Sequence, residues 1–199
     1  MLGAIVLNNK EITKTVKILL VASSLWYFGE GLFGPLFAVF SQKVGGDLLD
    51  ITWAWSAYLI VTGVMYFFVG KALQHSKYQE EVMILGYALN TIFTFSYLMV
   101  NSVTTLFFVQ IGLGMAESLS TPIWDSLFAN DLDEKNNTFL WGLATGHTHF
   151  VTGIAVAIGG LITYYISFQV LFIIMGTIQA FATIIQARLL FFKKTGKKK

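Results

Sequence analysis

Cysteine is absent from this chain, and proline occurs at only two positions. Without thiols there is no disulfide, no thiolate nucleophile and no cysteine-ligated metal centre. Charge is scarce as well. Asp, Glu, Lys and Arg make up 12% of the residues, about half the share in a soluble domain. The charges cluster, leaving Ile51–Gly70, Val82–Ala116 and Asn136–Ala187 with none. No lysine or arginine lies within the body of a hydrophobic stretch before Arg188. Nothing pairs a nucleophile with a base, so an enzyme is not expected. Neither a cofactor nor a metal site is expected either.

What is present is apolar surface. Hydrophobic residues make up 55% of the chain, and mean hydropathy is +0.67. A helix crosses the hydrocarbon core with about 20 mostly apolar residues. The run from Asn136 holds two such helices, with a break near Ser167-Phe168-Gln169, and the run from Val82 feeds two more, broken at Asn101-Ser102. The pattern predicts an all-α membrane protein with six transmembrane helices in a single domain, 1–199. They are placed at about 15–41, 51–72, 81–100, 103–128, 138–164 and 168–191, ahead of a basic tail, 192–199. If both termini are cytoplasmic, every lysine and arginine except Lys43 falls inside, a strong positive-inside signal. The tail then faces anionic lipid, and no nucleic-acid partner is expected. The first apolar stretch is too long for a cleavable signal peptide.

Two carboxylates stand out against this background. Glu30 is the only charge between Ile18 and Gln42, and Glu117 ends the uncharged run that begins at Val82. A charge at the bilayer centre costs about 2.5–3.5 kcal/mol on insertion scales, so it usually marks a pathway or a relay. Each precedes a proline by five residues, as Glu30-Gly-Leu-Phe-Gly-Pro35 and Glu117-Ser-Leu-Ser-Thr-Pro122. The echo continues along the chain. A shift of 87 lays the first span on the fourth. A shift of 90 lays Val61-Thr62-Gly63 on Val151-Thr152-Gly153 and Gly70 on Gly160, and the third span then falls on the sixth. Three spans repeated as three run in opposite senses. The pattern therefore predicts a 3+3 inverted repeat, a building unit of many secondary transporters.

The loop after the second span, Gly70-Lys-Ala-Leu-Gln74-His-Ser-Lys77, is similar to the signature loop of the major facilitator superfamily, Gly-x-x-x-Asp followed by Gly and basic residues. Gln74 stands where the aspartate is expected. The segment Gly112-Leu-Gly114-Met-Ala-Glu-Ser-Leu-Ser-Thr-Pro122 is similar to that family's fourth helix. An acidic loop, Asp131-Leu-Asp133-Glu134, follows, and then a glycine-rich fifth span ending in Gly159-Gly160. Nearly the whole chain resembles one six-helix half of a major facilitator superfamily transporter. Members ordinarily have two such halves. A chain that begins with Met1 and ends in a basic tail reads as complete, so the resemblance implies pairing. A parallel homodimer or a hetero-assembly with another six-helix half would supply it. Gly142, Gly146, Gly153, Ala157 and Gly160 suit either a dimer interface or packing of the fifth span on the first.

The polar residues of two spans form stripes. Ser23, Tyr27, Glu30 and Gly34 recur along one face of the first span; Gln110, Gly114, Glu117, Thr121 and Asp125 do so on the fourth. Polar faces avoid lipid, and the resemblance likewise implies that these helices line a central cavity. Glu30 and Glu117 lead the expected proton or solute site, with Gln110 and Thr121 beside them and Trp26 and Tyr27 as walls. Low-dielectric burial penalises a charged carboxyl, which suits proton coupling. The alternative is a neutral glutamate hydrogen-bonded within the bundle. His147 and His149 lie two residues apart on a helix and point about 200° away from each other. One could relay protons, but the pair is poorly spaced for a metal. Pro35 and Pro122 are predicted helix kinks. Asp125 lies about 12 Å beyond Glu117 at about 1.5 Å per residue, near the cytoplasmic mouth. By the resemblance it pairs with Lys71 or Lys77 to latch a gate at the Gln74 loop.

These readings converge on a half-size, proton-coupled secondary transporter in the cell membrane, with both termini cytoplasmic. Without an interior cation, its solute is expected to be cationic or neutral and organic, moved by alternating access as a dimer. The alternative is a non-transporting membrane subunit or assembly factor derived from such a half.

Overall fold

The structure, a computed structural model, describes residues 13–132 and 137–196, with side chains described as far as residue 190. Asp133, Glu134 and the last three lysines of the basic tail lie outside the described residues. The elements are α1 (Lys14–Gly31), a 3₁₀ turn (Gly34–Leu36), α2 (Phe37–Lys43), α3 (Leu48–Leu73), α4 (Gln79–Ser96), a second 3₁₀ turn (Tyr97–Met99), α5 (Val103–Asn130), α6 (Asn137–Tyr165) and α7 (Phe168–Gly196). Six stretches are long and apolar enough to cross a membrane. The first joins α1 to α2, and the other five correspond to α3 to α7. Part of the expected tail, 192–196, continues α7 as helix.

Polar side chains fix where the helices begin. The Thr13 hydroxyl accepts from Val16 N at 3.1 Å. Asp47 and Asp50 form a reciprocal capping box at the start of α3, and Ser102 and Thr105 form another at α5. Each satisfies N–H groups that have no partner within their own helix. Between α2 and α3 the chain turns at Gly45, whose φ of 92° is easy only for glycine.

The two prolines behave differently. Pro35 has no N–H to give and sits in the 3₁₀ turn that separates α1 from α2. Pro122 lies inside α5, which runs on without interruption. The kink predicted at both sites is thus a break in the helix at Pro35 alone. Around Pro122 the helix supplies its own hydroxyl donors. Ser118 Oγ donates to Met115 O at 2.7 Å, and Ser120 Oγ donates to Glu117 O at 3.0 Å.

Packing follows a simple plan. α1 packs against α6 and α7, α5 packs against α3 and α4, and α4 packs against α7. Exchanging α1 with α5, α3 with α6 and α4 with α7 leaves this plan unchanged, as an inverted repeat requires. The repeated Val-Thr-Gly motif lies at a close helix contact in both cases, offset by one helical turn on the facing helix. Thr62 of α3 donates to Gly114 O of α5 at 3.3 Å. Thr152 of α6 packs on Gly31 of α1, where a Cβ would come within 3.0 Å of the Thr152 carbonyl oxygen. The glycines of the two motifs, Gly63 and Gly153, face open space instead.

Two apolar cores close the ends of the bundle. At the end carrying the termini, Val16, Leu19, Trp26, Met83, Phe128 and Leu140 pack together. At the other end Phe33, Phe40, Tyr97, Phe168 and Phe172 form an aromatic cluster, with Phe33 4.9 Å from Tyr97 and Tyr97 stacked 5.0 Å from Phe172. α3 and α6 remain mostly uncovered; 11% of the best apolar window is buried in each, against 50% and 44% in the first and fourth spans. Their exposed Phe67, Phe68 and Phe150 suit a lipid or protein neighbour.

Candidate functional site

Because α1 and α5 meet only thinly, a space is left between them. It is a cavity of about 560 Å³ with residues from all six spans in its wall. The break at Pro35 contributes Gly34, Pro35 and Phe37 to that wall. Glu30, at the last turn of α1, lines it directly, and so do Tyr27 and Gln110. Gln110 is buried, and its side-chain oxygen accepts from the Tyr97 hydroxyl at 3.5 Å. No lysine or arginine is among the lining residues.

Glu117 is placed differently. Tyr66 of α3 donates to Glu117 Oε1 at 3.0 Å, and Tyr58, one turn-pair earlier on α3, donates to Oε2. Tyr58 lines the cavity, whereas Glu117 does not. The second carboxylate therefore stands behind a tyrosine, a correction to the expectation that both face one shared space. The two carboxyl groups are still close enough to act on each other electrostatically.

A second, smaller pocket of about 30 Å³ lies toward the terminal end of the bundle, lined by Trp26, Thr121, Trp124 and Asp125 among others. Tyr27 lines both spaces and so forms the partition between them. Trp26 supports it edge-on against Tyr87, with ring centroids 4.4 Å apart. Of the two expected walls, Tyr27 faces the main cavity and Trp26 faces the smaller pocket. Thr121 likewise belongs to the smaller pocket, beside Tyr66.

Asp125 is exposed beside Trp124 in the wall of the smaller pocket. Lys77 lies over the Tyr78 ring at 5.0 Å. The loop is held by Gln79, whose Nε2 donates to Leu73 O at 2.8 Å and to Gln74 O at 3.4 Å. The Thr13 hydroxyl donates to Asp131 Oδ2 at 2.5 Å, joining the start of α1 to the end of α5.

The histidines stand apart from the carboxylates. His147 lies beside the Ser24 hydroxyl at 3.3 Å, and His149 is exposed. Neither lines the cavity. Among the described residues no cluster of His, Asp and Glu could hold a metal ion.

Four lining or supporting residues were missed by sequence reasoning: Tyr58, Tyr66, Asn90 and Gln179. Asn90 and Gln179 are each 1% exposed, and both line the cavity. Their signal was present, since Asn90 is the one amide of the expected span 81–100 and Gln179 shares a helix face with Gln186 in an apolar run. Trp55 also lines the cavity, 5.6 Å from Phe37 between ring centroids.

Comparison with known proteins agrees with this arrangement. No curated protein gives a significant match to the chain. The family model of the Major Facilitator Superfamily matches residues 19–199, which takes in all six spans and the whole cavity wall. Six membrane-capable helices around a solute-sized cavity, together with that match, place this chain in the Major Facilitator Superfamily, a family of transporters.

Proposed function

We propose that the protein is a proton-coupled secondary transporter of a small cationic or neutral organic solute, working by alternating access. The observation that carries this reading is the Glu30 carboxyl opening on a cavity of about 560 Å³ that has no lysine or arginine in its wall. An organic anion would find no counter-charge there, and a desolvated carboxylate favours cations and protons. Tyr27 separates this space from the pocket at Asp125, so movement of one phenol would connect the cavity to one side of the membrane. The break at Pro35 gives α1 a place to bend.

The working unit is a pair of six-helix bundles, most simply two copies of this chain. The outer faces of α3 and α6 support the pairing. Gly142, Gly146, Gly153 and Gly160 on α6 face open space, as do Gly63 and Gly70 on α3, so a second bundle can approach closely. Packing of this α6 stripe on α1, the alternative open from sequence, is instead performed by Ala155 and Gly159. Both termini lie in the cytoplasm of a cell-membrane protein by the distribution of lysine and arginine.

The test is uptake into proteoliposomes under an imposed proton gradient, using labelled organic ammonium, neutral and anionic solutes. Uptake of an ammonium or neutral solute, lost when Glu30→Gln and Glu117→Gln are combined, is the expected result. Uptake of an anion that survives the double substitution would overturn the reading. A purified particle with the mass of one copy would separately sink the pairing. Since the chain has no cysteine, topology can be read from single introduced thiols. His75→Cys is expected to label from the cytoplasm only, and Lys43→Cys from the opposite side.

A further inference from the structure

The cavity wall contains two polar groups that the protein itself leaves unanswered. Asn90 Nδ2 on α4 and Gln179 Oε1 on α7 are buried and have no hydrogen-bond partner among the described residues. Buried polar atoms in native proteins are nearly always paired, so two orphans on one cavity wall call for an explanation. A bound solute provides one, because a few converging polar groups in an otherwise apolar pocket are what fix a ligand's orientation. We infer that Asn90 and Gln179 are a paired amide recognition element, and that the solute they read is an organic ammonium with a neighbouring hydroxyl or carbonyl on a ring-bearing apolar body.

The chemistry follows from the donors and acceptors. Gln179 Oε1 can only accept, so the solute must offer it an N–H or O–H. Asn90 Nδ2 can only donate, so the solute must offer it an oxygen. Glu30 lines the same space and supplies negative charge for a cation. Phe33, Phe37, Trp55 and Tyr97 give the cavity aromatic faces, which suit a flat apolar body and attract an ammonium.

The packing fixes Gln179 where it is needed. Gly29, the residue before Glu30, leaves the room that the Gln179 side chain occupies. A Cβ at Gly29 would stand 2.9 Å from Gln179 Cγ and 3.3 Å from Nε2. Asn90 comes from the opposite half of the bundle, 89 positions earlier, close to the repeat's own shift. Each half thus contributes one amide from its third helix. This inference rests on the cavity being the solute site proposed above.

The test is direct binding by calorimetry to the purified protein in lipid nanodiscs. The probes are a naphthyl ethanolamine, its deoxy counterpart naphthylethylamine, and the anion naphthylacetate. The wild type is expected to prefer the ethanolamine over the deoxy amine by about tenfold and to reject the anion. Asn90→Leu is expected to erase that preference while leaving affinity for the deoxy amine unchanged. Gln179→Leu is expected to weaken both amines by about tenfold. Gly29→Ala, which displaces Gln179 without altering a polar group, is expected to mimic Gln179→Leu. Should Asn90→Leu fail to fold, Asn90→Ala withdraws the same donor with less bulk. A preference that survives the Asn90 substitutions, an anion bound as tightly as the amines, or no amine binding by folded wild type would each overturn the inference. Binding needs no proton gradient, so the two readings fail separately. Amide-dependent binding without any uptake refutes transport alone. Uptake of a solute indifferent to Asn90→Leu and Gln179→Leu refutes the amide element alone.

Discussion

Two helix pairs that join the first three spans to the last three make similar close contacts but hold their glutamates differently. Thr152 of α6 closes on Gly31 of α1, and Thr62 of α3 closes on Gly114 of α5. Glu30 nevertheless opens on the cavity, while Glu117 is bonded by Tyr58 and Tyr66. The sequence explains why. The repeat shift of 90 places Thr148 and Val156 of α6 where α3 has Tyr58 and Tyr66. Thr148 spends its hydroxyl on Ala144 O at 3.0 Å within its own helix, and Val156 has none to give. No phenol from α6 is therefore available to cover Glu30. The two helix pairs share a close Thr-to-Gly contact and differ at the side chains around their charge. Glu30 lines the cavity with Trp26 as its hydrogen-bond partner, and Glu117 is held by two tyrosines.

Substitutions can separate what the halves share from what they do not. The largest stability effects are expected at the shared contacts. Gly31→Ala would press a methyl against Ala155 and the Thr152 backbone, and Gly114→Ala would press one against Tyr58 O at 2.8 Å. Each is expected to cost about 1–3 kcal/mol, read as a lowered unfolding temperature in detergent. Similar losses support equivalent packing, whereas a loss in one half only would break the comparison. Tyr66→Phe comes next, since it removes one of two hydrogen bonds to Glu117. It should cost about 1–2 kcal/mol and leave solute binding at Glu30 unchanged. The smallest effect is expected at Gly63, beside Thr62 but facing open space. Gly63→Ala should be neutral or stabilise by up to about 1 kcal/mol; a clear loss would mean that a partner covers this face.

Much of the fold was legible because bilayer thickness dictates the length of an uncharged run. The breaks at Asn101-Ser102 and Ser167 fall between helices, where Ser102 caps α5 and Ser167 precedes α7. A 3+3 inverted repeat was read from Glu-x4-Pro and Val-Thr-Gly; the exchange-symmetric packing plan is consistent with it, and the Thr-to-Gly contacts give the second motif a physical meaning. The unlike behaviour of the prolines was not legible from the motif itself. It depends on the flanking residues, Gly34 before Pro35 and the hydroxyl-rich turn before Pro122. The site was read in part. A stripe on one helix shows which side chains face inward, and it found Glu30, Tyr27 and Gln110. It cannot show what a neighbouring helix brings to meet them, so the tyrosines covering Glu117 were missed. Asn90 escaped because it is a single amide, and Gln179 because its partner on the same face of α7, Gln186, carries no charge to draw attention to the pair. His147 and His149 drew attention by residue type, yet α6 turns its packed face, with Ala144 and Ala155, toward α1 and leaves His149 exposed.

The central claim is that two sequence-equivalent carboxylates have unequal roles, Glu30 at the solute and Glu117 within the protein. It is tested most directly by proton-gradient-driven uptake in proteoliposomes, measured in parallel for Glu30→Gln and Glu117→Gln. Loss of uptake in the Glu30 variant by about a hundredfold, beside a reduction of about tenfold or less in the Glu117 variant, is the predicted result. Equal losses, or a greater loss at Glu117, would contradict it.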